Sequence, residues 1–256
     1  MATYTTPTGE VYRLYSHILN QTHVLIAGAS GSGKSVLVNG LLTSALYSAP
    51  GQQPGGVSFI LIDPKRTELS PYRNTPHCLR YASEPSAMID ALNYAVELTE
   101  ARYREMEKAG ERTYCGGRVY VIIEELADLM TTNRRAVQPL IQRLCQIARA
   151  AGVHVIAVTQ CPLTKVIPTE IKVNFDGIVA LRTRSAQDSR NIIGITGAEL
   201  LPRYGECLYY SPDLMNVNRC TVPMVSENEQ KRLINHWASQ GKTAKGGIIK
   251  RLFCLA

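Results

Sequence analysis

The apolar run His23–Ala27 is followed by eight residues, Gly28, Ala29, Ser30, Gly31, Ser32, Gly33, Lys34 and Ser35, the last two of which open a helical stretch. Glycines at 28, 31 and 33 let the backbone wrap closely, with successive N–H groups turned inward. A helix that starts where such a loop ends adds its positive end to the same point, which makes an anion site. The pattern G-x-x-x-x-G-K-[ST], preceded by a strand and opening a helix, predicts that the loop cradles the phosphates of ATP. Lys34 then reaches the β- and γ-phosphates and the Ser35 hydroxyl ligates Mg²⁺.

The rest of the chain supplies a fold for such a loop. Apolar runs at 23–27, 57–62, 119–123, 153–159 and 178–181 read as buried parallel strands. They alternate with helical stretches at 34–47, 85–109 and 134–151, with Gly110 and Gly152 where helices end. This predicts an α/β fold, a mostly parallel sheet flanked by helices. Residues 48–56 read as a surface loop rich in Pro, Gly and Gln. Short β pieces at 206–210 and 218–225, around the turn Ser211-Pro212-Asp213, predict a C-terminal β hairpin, followed by a covering helix at 227–239. A length of 256 residues, 45% of them hydrophobic, suits one large domain. The expected organisation is an N-terminal segment 1–21, a domain 22–240, and a loosely ordered basic tail 241–256 with Lys242, Lys245, Lys250 and Arg251.

Composition narrows the setting. No run of about 18 apolar residues is present and the first 21 residues are polar and mixed, so no membrane segment and a cytoplasmic location are expected. Seven cysteines without a C-x-x-C pair read as reduced thiols, neither metal ligands nor nucleophiles. The net charge of +7 and a pI near 9.1 fit a polyanionic partner such as nucleic acid.

A second site follows the third run. Residues 119–123 end in Glu124 and Glu125, and acids at the carboxyl end of a buried strand lie where α/β sheets bind ligands. Phosphoryl transfer needs positioning and charge stabilisation more than covalent chemistry. That assigns Glu124 to the metal and Glu125 to the attacking water. Thr159 and Gln160, at the end of the next run, are placed to sense the γ-phosphate.

These stretches, together with 61–69 (Leu-Ile-Asp63-Pro-Lys65-Arg66-Thr-Glu68-Leu), 125–130, 148–154 and Asp188-Ser189-Arg190, resemble the FtsK/SpoIIIE family of DNA-pumping ATPases from about Thr22 to Trp237. The resemblance implies a RecA-like P-loop motor domain, assembled as a homo-oligomer, usually a hexameric ring. ATP would sit at subunit interfaces and double-stranded DNA in the channel. It implies that Arg149 reaches into a neighbour's ATP site, completing a catalytic set with Glu125, Lys34 and Gln160. It also implies that Arg190 touches the DNA backbone, with Arg182 and Arg184 close before it. Three positions depart from the family pattern: Glu124 replaces Asp, Cys161 replaces the basic residue after Thr-Gln, and Ala186 replaces a lysine. Lys165 and Lys172 stand nearby as substitutes. A membrane anchor and a winged-helix module are not expected. The expected function is ATP-dependent translocation of double-stranded DNA. A protein-export ATPase and a weakly hydrolysing ATP-binding scaffold are the alternatives.

Overall fold

A computed structural model describes residues 13–160 and 169–248. Among the described residues, the strands β1 (His23–Ala27), β2 (Val57–Ile62), β3 (Cys78–Ala82), β4 (Arg118–Ile123), β5 (Val153–Thr159), β6 (Gly177–Ala180), β7 (Glu206–Tyr210) and β8 (Asn218–Thr221) form one sheet, ordered β3-β2-β4-β5-β1-β6-β7-β8. Pairings from β3 across to β6 are parallel, and β6-β7 and β7-β8 are antiparallel.

Period-2 alternation explains why the central strands are apolar throughout. Leu25 and Ala27 of β1 join the core on one face, while Val24 and Ile26 join the core on the other. Helices α3 (Pro85–Ala109), α4 (Leu126–Ile147) and α6 (Ala186–Ile193) cover the first face, whereas α1 (Arg13–Leu19), α2 (Lys34–Ala45) and α7 (Glu227–Ile248) cover the second. The four-residue α5 (Thr169–Lys172) precedes β6.

Several expectations shift. Helix α4 begins at Leu126, not 134, because Glu125 takes an extended N-cap conformation directly after β4, and Asn133 interrupts the helical dihedrals at φ −136°, ψ 36°. It stops at Ile147, and Gly152, at φ +65°, instead turns the chain into β5. Strand β3 has no apolar signature: it pairs only with β2 and is mostly half-buried or exposed, so Leu79 and Arg80 coexist in it. Strand β8 ends at Thr221 rather than 225, since Pro223 has no N–H for a ladder. Helix α7 runs to Ile248, through the first part of the expected loose tail; residues 249–256 lie outside the described residues.

Candidate active site

The parallel strands β2, β4, β5, β1 and β6 deliver their carboxyl ends to one edge of the sheet. Register pairs Ala27 with Thr159 and with Ala180, and pairs Ile123 with Ile62 and Ala157. The loop after β1, the acids after β4 and the Thr159-Gln160 end of β5 therefore converge.

The loop is built so that side chains cannot fill it. A Cβ on Gly28 would lie 2.7 Å from Ser32 Oγ and 2.9 Å from Leu181 Cβ. Gly31 and Gly33 have φ of +71° and +95°, the left-handed region that side chains disfavour. Ala29 N–H donates to the Arg182 carbonyl at 2.8 Å and so ties the loop to the end of β6. Lys34 folds back over the loop, its ammonium donating to the Gly28 and Ala29 carbonyls at 2.8 Å each. Burial lowers its pKa to about 8, against the pull of Glu125 in the other direction.

Glu124 lines, with Lys34, a recess of about 350 Å³, and Glu125 is buried next to it in the chain. Glu125 is 4% exposed; its Oε1 accepts from the Gln160 N–H at 3.1 Å and its Oε2 lies 3.3 Å from Lys65 Nζ. Glu124 Oε1 is 3.6 Å from the same ammonium. Burial raises the Glu124 pKa to about 7, with Lys65 opposing the shift. Burial alone would lower the Lys65 pKa; Glu124 and Glu125 outweigh it, and the net shift is upward.

Glu124 Oε2 and Ser32 Oγ are buried without a hydrogen-bond partner. An unpaired carboxylate oxygen in the recess that Ser35 also lines is the donor set a hard divalent cation takes, so Ser35 and Glu124 fit Mg²⁺. The extra methylene of Glu relative to Asp does not remove the carboxylate from the recess.

Sequence reasoning missed two residues that line this recess and one on the far side of its phosphate loop. Lys65 bridges both acids; it is visible as the basic residue three places beyond β2, where Asp63 caps the turn by accepting from Leu69 N–H at 3.0 Å. Tyr204, 57% exposed, lines the recess beside Gly33, Lys34 and Ser35. The Arg203 guanidinium lies 3.3 Å from where a Gly31 Cβ would stand. No local pattern marks these last two, because a loop between α6 and β7 brings them back from far along the chain.

The other expected site residues are spread more widely. Arg182 and Arg184, both exposed, border the opposite side of the phosphate loop with Arg203 and Glu199. Arg190 sits apart, exposed on α6, where its guanidinium donates to Gln187 Oε1 at 3.4 Å. Between them Ser189 is buried and structural: its hydroxyl donates to the Ile195 carbonyl at 2.6 Å and accepts from Ala198 N–H at 3.1 Å. Lys172 donates to the Asn191 carbonyl at 2.5 Å, so its ammonium holds α6. Cys161 and Lys165 lie outside the described residues. Arg149 is exposed in the turn before β5, at the other end of the sheet. The seven residues of β5, at about 3.3 Å each, put it roughly 23 Å from its own phosphate loop.

The FtsK/SpoIIIE family model matches residues 10–118 and 117–163, more than half of the chain. The chain belongs to the FtsK/SpoIIIE family. Among the family's curated members, it is 39% identical over 227 residues to the DNA translocase FtsK of Chlorobaculum tepidum, covering 81% of this chain and 28% of that protein. It is 38% identical over 251 residues to DNA translocase FtsK 1 of Neisseria meningitidis, covering 85% of this chain and 30% of the relative. The chain thus spans less than a third of the length of either relative. The fold is shared with the pCW3 conjugation coupling protein TcpA, solved with ATPγS, at a TM-score of 0.72 and 21% identity, over 86% of this chain and 66% of that one. It is also shared with ATPases 2 and 3 of EssC from Geobacillus thermodenitrificans, at 0.70 and 16%, over 88% and 44%. No helix among the described residues is long and apolar enough to cross a membrane.

Proposed function

We propose that this chain binds ATP and Mg²⁺ between the phosphate loop and Glu124-Glu125, and uses the hydrolysis, in a ring of identical subunits, to move double-stranded DNA. The observation that carries the reading is the pairing of a closed glycine loop with two carboxylates, Glu125 buried and Glu124 half-buried, that share one lysine. Membership of the FtsK/SpoIIIE family and the names of the two relatives support DNA as cargo.

Each residue has a task that its present contacts suit. Lys34 exchanges the Gly28 and Ala29 carbonyls for phosphate oxygens, a stronger charge-assisted bond. Glu125, aimed by the Gln160 amide and Lys65, orients the attacking water and accepts its proton. Ser35 and Glu124 would hold Mg²⁺, which when bound would neutralise charge on the phosphates. Tyr204 stacks on the nucleobase, and Arg203, Arg182 and Arg184 bring positive charge to the far side of the loop. Arg149 cannot reach its own loop, so it acts on a neighbour's, which is what requires a ring. Arg190 contacts DNA phosphates, a sequence-independent and salt-sensitive interaction. Its exposure on α6, away from the recess, is compatible with that use.

The test is ATP turnover with Mg²⁺ at low salt, with and without duplex DNA. A rate that rises several-fold on adding DNA is expected, and one that stays flat removes the translocase reading. The absence of turnover under both conditions, with ATP still bound, would favour the scaffold reading, for which the raised pKa of Glu124 is the supporting observation.

A further inference from the structure

The antiparallel edge of the sheet brings together two cysteines that the sequence separates by a dozen residues. In the β7-β8 ladder Cys207 stands directly opposite Cys220. The Val222 N–H donates to the Gly205 carbonyl, which makes 205 and 222 a hydrogen-bonded pair; two residues along, 207 and 220 are therefore another. Such pairs hold their Cα atoms about 5.5 Å apart, a common separation across disulfides. Their side chains leave the sheet on the same face. Both thiols are free, and Cys220 Sγ approaches the Asn218 carbonyl at 3.8 Å.

We propose that Cys207 and Cys220 are a redox modification site, a cross-strand thiol pair that a peroxide converts to a disulfide. The two members are unequal. Cys207 is 0% exposed and packs in the core beside Tyr209 and Val222, whereas Cys220 is half-buried on β8, the edge strand. An oxidant from solution therefore meets Cys220 first. The hydrogen bond from Cys207 favours charge on the Cys220 sulfur and lowers its pKa to about 7, and the same bond with burial raises that of Cys207.

The chemistry balances in two displacements. Cys220 thiolate attacks the peroxide O–O bond, giving a sulfenic acid on Cys220 and hydroxide, which is protonated to water. The Cys207 sulfur then attacks Cys220 Sγ, forming the S–S bond and expelling hydroxide, which leaves as water with the Cys207 proton. Two thiols and one peroxide become one disulfide and two waters, and a dithiol reductant reverses the change. An edge strand lets the sulfurs close, because β8 has a partner on one side only.

The experiment uses the full chain, reduced, freed of reductant, treated with a small excess of hydrogen peroxide, then denatured and alkylated with N-ethylmaleimide. The expected result is that two of the seven thiols escape alkylation and that a peptide map joins the segments bearing Cys207 and Cys220. Dithiothreitol should restore both. In Cys207→Ser the same dose should leave a sulfenic acid on Cys220, trapped by dimedone, with no link. Cys220→Ser, a change on the half-buried edge strand, should leave every remaining thiol alkylated. The proposal is overturned if the map shows Cys207 and Cys220 both alkylated after treatment, or either one joined to a different cysteine.

Discussion

The two ends of the parallel sheet handle charge in opposite ways. At the carboxyl ends Lys34, Lys65, Glu124 and Glu125 are gathered around one recess, and Lys65 alone meets two acids. At the amino ends Arg149 and Arg118 line a cavity of about 660 Å³ with His154, and no carboxylate is among its lining residues. One end neutralises itself; the other presents arginine to whatever docks there. In the proposed ring the second end of one subunit would meet the first end of the next, and the asymmetry suits such a head-to-tail interface.

The largest effect should come from separating the ends. Lys34→Ala and Arg149→Ala should each lower ATP turnover, the latter by roughly 10³-fold, as loss of an arginine acting on a transferring phosphate does. ATP binding should survive in Arg149→Ala and fail in Lys34→Ala. Mixing the two variants should restore part of the turnover, because a site with an intact Lys34 can then face an intact Arg149. If both variants assemble and the mixture stays inactive, the two ends do not meet.

A smaller effect tests the wall of the recess. Base–aromatic stacking contributes about 1–3 kcal/mol, so Tyr204→Ala should weaken ATP binding by roughly tenfold or more. Tyr204→Phe should not. Binding of inorganic triphosphate, which has no base, should be equal in all three proteins. A parallel loss for triphosphate would mean that Tyr204 shapes the phosphate loop instead.

The same contrast between ends explains what the sequence reveals. The carboxyl end is written locally: a strand, a glycine loop and a helix are consecutive, and Glu124-Glu125 follow their strand directly, so adjacency in the chain is adjacency in space. β3 has no apolar run because, as an edge strand, it pairs on one side only and is mostly half-buried or exposed. Lys65 was legible as a position but not as a partner, since its bond to Glu125 joins residues 60 apart. Arg203, Tyr204 and the Cys207–Cys220 pair arise from the antiparallel return of the chain, and no spacing in the sequence encodes that register. Arg182 and Arg184 were grouped with Arg190 by proximity in sequence; the turn into α6 separates them.

The next prediction weighs function against stability at the carboxyl end. The native pKa of Glu124 is raised to about 7 from an ordinary 4.5, so the native state prefers the protonated form. Its stabilisation is fully present below pH 4.5 and is lost as pH rises through 7. Glu124→Gln should therefore match wild type near pH 4.5 and exceed it by about 2–3 kcal/mol at pH 8, measured by urea unfolding without Mg²⁺. Added Mg²⁺ should stabilise wild type more than the variant. Equal stability at both pH values would mean that the site accommodates the carboxylate charge at no cost.

The smallest effect sits at the amino end, where His154 is 9% exposed with Nδ1 3.0 Å from the Thr22 carbonyl. That carbonyl can only accept, so Nδ1 carries the proton of a neutral ring. Burial lowers the His154 pKa to about 4, and burial with the nearby His154 lowers that of His23 to about 3. Both rings stay neutral in the native state while the unfolded chain takes up protons below pH 6.5, so stability is full above 6.5 and falls as pH drops toward 4. His154→Gln keeps a donor for the Thr22 carbonyl and removes one of the two titrations. Measured by denaturant unfolding, the loss between pH 7 and pH 5.5 should shrink by about 1 kcal/mol. The carboxyl end predicts the reverse sign, with stability gained on acidification through Glu124, so the wild-type profile between pH 8 and pH 5 is the difference of the two ends. An unchanged acid limb in His154→Gln would assign that loss to His23 alone, whose Nδ1 accepts from the Val155 N–H at 3.0 Å and cannot be protonated without breaking that bond.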